Sequence, residues 1–238
     1  MTGEVGDVTA STRRNGRRSL IIAIDGPAGA GKSTVAKLLA TRLGYLYLDT
    51  GALYRAIAWK VNSTGVDPED STAVAALLPH TILHMECEGD QAKVYVDGQE
   101  VSGELRTPPV SEVASIVSAI PAVREWLLPV QRQIGTPGGV VAEGRDIGTK
   151  VFPAAHVKFF LEADPEIRAT RRHREFVAAG HAVQLEQTKR DLSGRDARDR
   201  TRDVAPLAAA HDAQRIDTSE MPAEKVVEHM LAVIAAKW

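Results

Sequence analysis

The stretch DGPAGAGKSTVAK, Asp25–Lys37, follows the apolar run SLIIAI and opens the segment KSTVAKLLATRL, whose pattern is helical. Gly26, Gly31, Lys32 and Ser33 fit the spacing G-x-x-x-x-G-K-[ST], and Gly29 and Thr34 fall within the same loop and its exit. The order strand, glycine-rich loop, helix is what a phosphate cradle requires. Glycines allow successive backbone N–H groups to turn inward, and the helix N-terminus adds partial positive charge. Lys32 is placed to bridge the β- and γ-phosphates of a nucleotide, and the Ser33 hydroxyl to help hold Mg²⁺. The loop does not say what receives the phosphate.

Working outward, five short apolar runs stand out: SLIIAID, YLYLD, GVVAE, HVKFFLEA and QRIDTS. Most are continuous rather than alternating, so they read as strands covered on both faces of a parallel sheet with helical crossovers. Helices are expected over Ser33–Leu43, Leu53–Asn62 and Pro121–Ile134, and in DPEIRATRRHREFVAAG, where Asp164 caps and Pro165 takes the first helical position. A last helix is expected in AEKVVEHMLAVIAAKW. The segment HTILHMECEGDQAKVYVDGQEVSGELR breaks the rhythm with two alternating runs and an Asp97-Gly98 turn signal. It reads as a small antiparallel insertion between the second and third core strands.

With 238 residues, 44% apolar and 25% charged, the composition is that of an ordinary globular protein with one core and excursions. A formal charge of −2 provides no global attraction to nucleic acid or to an anionic membrane. The single cysteine, Cys87, excludes an intramolecular disulfide and a multi-cysteine zinc site, suits a reducing compartment, and is assigned to packing. No apolar run approaches the ~20 residues of a membrane span, and the cytoplasm is the expected location. Residues 1–18 lack the apolar stretch of a secretory signal and read as a disordered leader. The seven histidines fit no metal-binding spacing.

Candidates for the acceptor side lie at strand ends. Arg55 follows the second strand in DTGALYRA, on the crevice side where parallel sheets bind ligands, and can grip a phosphate bidentately. Taken alone, such an arginine more often belongs to the surface of a helix. Glu143, Arg145 and Asp146 cluster where the third strand ends in AEGRDIG, offering a cation for phosphate and an acceptor for an amino group, or a salt-bridged loop. In RDLSGRDARDRTRDVAPL, Arg195, Arg198 and Arg202 share one helical stripe, with Asp199 beside it. Such a stripe is either a solvated, self-paired helix or a mobile lid, and phosphoryl transfer needs cations of this kind over its equatorial oxygens.

Taken together, GPAGAGKST, LDTGALYRA, VSGELRT, AEGRDIGT, VFPAAHVKFFL and RDARDRTRDVAPL resemble bacterial-type cytidylate kinase, from about Ser19 to Trp238. The resemblance implies an α/β P-loop nucleoside monophosphate kinase fold with a five-stranded parallel sheet, an inserted antiparallel β segment and a short helical lid. It divides residues 19–238 into a core, an acceptor-binding part over about 53–135 that includes the insertion at about 80–106, and a lid at about 191–205. It implies Mg²⁺ and ATP as donor, CMP and dCMP as acceptors, and a monomer. Carried over position by position, Arg55, Arg145 and Arg202 would hold the CMP phosphate, and Arg195 with Asp199 the ribose. Ser115, Arg124 and Asp146 would read cytosine, with Asp146 accepting from its amino group. Arg198 would assist at the ATP phosphates, and Gly26, Gly29, Gly31, Lys32, Ser33 and Thr34 would form the ATP cradle. Lys32, Arg145, Arg195 and Arg202 would carry the catalysis. Thr50 stands where many members have serine and keeps the hydroxyl, while Glu143 stands where some have aspartate.

Three rival readings are separable. The nearest is a kinase for another small acceptor such as UMP, AMP or shikimate, and a carboxylate at Asp146 counts against UMP, since uracil has a carbonyl where cytosine has an amino group. A GTP-driven switch would carry an N-K-x-D guanine motif, which the sequence lacks. The basic run Arg168, Arg171, Arg172 and Arg174 would suit nucleic acid, but no aromatic or binding-fold signal accompanies it. The stripe carrying Arg195 and Arg202 is expected on an exposed helix, so that losing either arginine lowers turnover and leaves the fold nearly intact.

Overall fold

The computed structural model describes residues 19–88, 91–135 and 137–237. The leader expected at 1–18 lies outside the described residues, and so does the side chain of Cys87. In chain order the elements are β1 (Ile21–Asp25), α1 (Lys32–Leu43), β2 (Leu46–Asp49), α2 (Thr50–Thr64) and α3 (Ser71–Leu77), then β3 (Leu83–Glu88), β4 (Gln91–Val96) and β5 (Gln99–Glu100). They continue with α4 (Pro108–Val117), α5 (Pro121–Gly135), β6 (Val140–Gly144), β7 (Val157–Glu162), α6 (Pro165–Ala178), α7 (Leu185–Thr201), β8 (Gln214–Asp217) and α8 (Ala223–Lys237).

Five strands form a parallel sheet in the order β2-β6-β1-β7-β8. β6 is third of the five in the chain yet pairs between β1 and β2, so the two crossovers reverse direction beside β1. That reversal opens a crevice at the carboxyl ends of β1, β2 and β6. Register sharpens the point: Asp49 pairs with Glu143 and Asp25 with the next residue, Gly144, so three acidic residues lie within one residue of the carboxyl ends of neighbouring strands. The continuous apolar runs are explained by cover on both faces. α2, α4 and α5 bury one face around Leu53, Ile57, Val123 and Leu127, while α1 and α8 bury the other around Leu39, Val227 and Met230.

The insertion pairs as an antiparallel sheet β3-β4-β5, with one more strand than the two runs read from the sequence. Asp97 and Gly98 both take positive φ, 52° and 82°, and make the tight turn from β4 to the two-residue β5. Asp164 caps α6 as anticipated, accepting from the N–H groups of Glu166 and Ile167. No single helix among the described residues is long and apolar enough to cross a membrane.

Candidate active site

The loop between β1 and α1 is shaped by contacts that leave no room for a side chain. A Cβ on Gly26, whose φ is +146°, would lie 2.1 Å from the Leu161 carbonyl oxygen, and one on Gly29 would lie 2.8 Å from that of Arg168. The loop is therefore pressed against β7 and α6, with its concave side toward the crevice. Gly31 precedes α1 in the left-handed region and supplies no capping side chain, so the first N–H groups of the helix face that concavity. Lys32 is 6% exposed, and its Nζ donates to the Pro27 carbonyl at 2.7 Å. Burial, then the charge of Arg145, lowers its pKa to about 7. An anion entering the loop would favour its charged form. Ser33 hydrogen-bonds with Glu143, and Thr34 is exposed one residue further on.

Glu143 is itself buried, bonded by the Tyr47 hydroxyl, and its main-chain carbonyl accepts from Thr50 Oγ1 at 2.7 Å. Burial, then the neighbouring Asp49, pushes the Glu143 carboxyl above its usual range. Thr50 thus faces the end of β6 across the crevice. Asp49 caps α2 by accepting from the Ala52 N–H, and pairs with Arg55 at 2.6 Å and Arg106 at 3.1 Å. Burial raises Asp49, but Arg55 and then Arg106 outweigh it and hold the carboxyl below the ordinary value.

On the far side of the crevice, guanidinium groups gather around two buried carboxylates. Asp146 pairs with Arg124 and, at 3.6 Å, with Arg202. Asp199 accepts from Arg145 Nε at 2.8 Å and lies 3.5 Å from Arg202. Burial raises Asp199 too, and Arg145 and Arg195 reverse the effect. Four arginines facing two carboxylates leave a surplus of positive charge. Arg195 registers it: burial, then repulsion from Arg145, lowers its pKa to about 9. Its Nε is buried without a hydrogen-bond partner, and the same holds for Arg55 Nε and Arg202 Nη2. Buried donors left unmade are costly, and an anion with several acceptor oxygens satisfies them. Arg198 Nε donates to Ser115 Oγ at 3.1 Å. Ser115, Arg195 and Arg198 also line a cavity of about 430 Å³ between α4, α6 and α7.

Two readings from the sequence are corrected. α7 ends at Thr201, and Arg202 has left the helix with ψ at 141°, so it does not continue the stripe of Arg195 and Arg198. Its side chain is 4% exposed, turned inward to Asp146 and Asp199, while its Nε donates to the Ala205 carbonyl. Nor is Arg195 a free surface cation, given its buried Nε. Losing Arg202 takes buried ion pairs with it.

Sequence reasoning gave no role to Asp25 or Arg106. Asp25 is 3% exposed and accepts the N–H groups of Ile147 and Gly148, each at 2.8 Å. It thereby fixes the backbone immediately after Arg145 and Asp146. Burial, opposed by those two N–H bonds, raises its pKa to about 6. An acidic residue as the last member of a buried parallel strand was the available signal, and Asp49 shares it. Arg106 follows the insertion, and nothing local marks it.

Comparison with known proteins identifies the family. The family model for cytidylate kinase matches residues 22–236. A cytidylate kinase of Pelotomaculum thermopropionicum is 49% identical over 90% of this chain and 96% of that protein, and one of Carboxydothermus hydrogenoformans is 46% identical over 91% and 97%. An uncharacterized protein of Eubacterium ventriosum has a crystal structure with the same fold, at a TM-score of 0.53 and 12% identity, over 92% of this chain and 99% of that one. The phosphate loop, the crevice and these matches together show that the chain belongs to the cytidylate kinase family.

Proposed function

We propose that this chain transfers the γ-phosphoryl group of Mg-ATP to the phosphate of CMP, and of dCMP, in one in-line step within pyrimidine nucleotide metabolism. A phosphate oxygen of the acceptor forms the new bond to Pγ as the bond from Pγ to the β,γ-bridging oxygen breaks, giving ADP and CDP or dCDP. The acceptor oxygen is already ionised near neutral pH, so no general base is needed. The observation that carries this reading is the cluster of Arg124, Arg145, Arg195 and Arg202 around the buried carboxylates of Asp146 and Asp199, across the crevice from the phosphate loop.

In this reading Lys32 and the loop's N–H groups hold the donor phosphates, with Arg198 assisting. Arg55, Arg145 and Arg202 take the acceptor phosphate, Thr50 contributes its hydroxyl, and Arg195 with Asp199 holds the ribose. Ser115, Arg124 and Asp146 read the base. The Ser33 hydroxyl beside Glu143 provides hard oxygen donors, which fit a magnesium ion held largely by nucleotide phosphates. When bound, that ion neutralises charge on the β- and γ-oxygens. Residues of about 53–135 would form the acceptor side, and about 191–205 a short lid that excludes water. The enzyme is taken to act as a monomer.

The test is product formation from Mg-ATP with CMP, dCMP, UMP, AMP, GMP and shikimate supplied separately, alongside a control without acceptor. CDP and dCDP are expected as the dominant products. Equal consumption of ATP without acceptor would overturn the proposal in favour of an ATPase or switch.

A further inference from the structure

The basic run Arg168, Arg171 and Arg172 on α6 is committed to the fold. Arg171 donates to the carbonyls of Thr218 and Ser219 at 2.6 and 3.2 Å, and Arg172 donates to Ser111 Oγ on α4 while covering the Phe176 ring. Arg168 is the most deeply placed, at 5% exposure, and its contacts reach both halves of the site. Its Nε donates to the Ala163 carbonyl at 3.0 Å, and its Nη1 donates both to the Ala28 carbonyl of the phosphate loop at 3.1 Å and to Asp196 Oδ2 of α7 at 2.6 Å. Asp196 directly follows Arg195 and lies three residues before Asp199, so it sits within the segment that presents the arginines.

Packing makes the same junction. Ala28 of the loop, Ala169 of α6 and Leu192 of α7 form a small buried apolar cluster of their own. The main chain at Gly29 lies so close to Arg168 that a Cβ there would come within 2.9 Å of its Cβ. We propose that Arg168, through Asp196 and the Ala28 carbonyl, is a positioning residue that sets the distance between the donor phosphate loop and the arginine-bearing helix α7. Phosphoryl transfer consists largely of holding two phosphates in line; in the kinase reading above, on which this step rests, the loop holds the donor phosphates while α7 carries Arg195 and Asp199 for the acceptor's ribose and leads directly into Arg202 at its phosphate. The planar guanidinium serves three acceptors in fixed directions, which a lysine ammonium on a flexible stem cannot reproduce. A nearby role in nucleic-acid binding is disfavoured by the burial of the same side chain.

The experiment compares Arg168→Lys, Asp196→Asn and the apolar pair Arg168→Met/Asp196→Leu with the parent, measuring kcat, KM for ATP and CMP, and denaturation midpoints. Arg168→Lys keeps the charge and loses the fork, so kcat is expected to fall roughly 10- to 100-fold while both KM values change by less than kcat does. Asp196→Asn keeps a neutral acceptor and is expected to fall less. The apolar pair removes the buried charges together, which proteins often tolerate without loss of stability. It is expected to fold with a midpoint near the parent's and still turn over slowly, because the Ala28 carbonyl has lost its donor. It also decides the matter if a single replacement unfolds the chain. A pair variant with the parent's kcat overturns the positioning role and leaves a contribution to stability alone. Parent chain that makes no CDP in the same assay contradicts the kinase reading itself.

Discussion

The two sides of the crevice hold their positive charge differently. At the phosphate loop, Lys32 rests against a loop carbonyl, and the surrounding donors are backbone N–H groups fixed by Gly26, Gly29 and Gly31. On the other side, which the kinase reading gives to the acceptor, Arg124, Arg145 and Arg202 are engaged with Asp146 and Asp199, two carboxylates buried among them. The loop therefore meets a phosphate with backbone donors that carry no counterion, whereas a phosphate entering the arginine cluster competes with internal carboxylates. Such competition favours a ligand that also gives the carboxylates something to bind. A nucleotide whose base presents an amino group to Asp146 does so; a bare phosphate does not.

Replacing one cation on each side should break the symmetry most sharply. In the kinase reading, Lys32→Met and Arg202→Ala each lower kcat by about 10²- to 10³-fold, the effect of removing one charge-stabilising donor from a transition state. Their effects on stability should diverge. Removing a buried lysine leaves the ligand-free fold at least as stable, while Arg202→Ala leaves Asp146 and Asp199 short of a partner and costs about 1–3 kcal/mol. Chemical denaturation monitored by circular dichroism measures both, and equal stability losses would contradict the contrast drawn here.

Asp25 joins the two sides, and its effect depends on pH. Its pKa is about 6 against an ordinary 3.8, so its neutral form contributes stability that is full below the lower value and lost as pH rises through the higher one. The parent should therefore lose up to about 3 kcal/mol from this group between pH 4 and pH 7, and Asp25→Asn should flatten that part of the profile. Unfolding free energies for the two proteins at both pH values provide the check. An unchanged pH profile in Asp25→Asn would place the dependence elsewhere, on a group such as Glu143, whose carboxyl burial also raises.

The finest distinction concerns the base. Asp146→Asn exchanges an obligate acceptor for a group that also donates, so the preference for CMP over UMP in kcat/KM is expected to narrow by roughly 10- to 100-fold. Parallel steady-state assays on the two nucleotides suffice. A preference that survives the substitution would move cytosine reading to Ser115 or Arg124.

The same contrast explains what the sequence made legible. The phosphate loop is contiguous, so spacing alone placed Gly26, Lys32 and Ser33 between a strand and a helix. Arg55, Arg145 and Asp146 were legible because strand ends of a parallel sheet share one edge. Arg202 was found as a residue but misplaced, since helical spacing cannot reveal that the chain turns outward from α7 at Thr201. Ser115 and Arg124 carried no local signal and rested on resemblance, and the structure brings Arg124 to Asp146 and Ser115 to Arg198. Arg168 reads in the sequence only as part of a basic run that would suit nucleic acid, and Asp196 has no reading of its own. Their burial arises only when α6 and α7 pack on the loop, a contact between residues 28 positions apart in the chain and a further segment 140 positions away.

The most direct test of the division between the two sides is equilibrium binding of CMP and, separately, of Mg-ATP to the parent, to Lys32→Met and to Arg55→Met. Arg55→Met is predicted to weaken CMP by about tenfold or more and ATP little, and Lys32→Met to show the reverse order, each reflecting one charge-assisted phosphate contact. Loss of the same ligand in both variants, or a parent that does not bind CMP, would contradict the account.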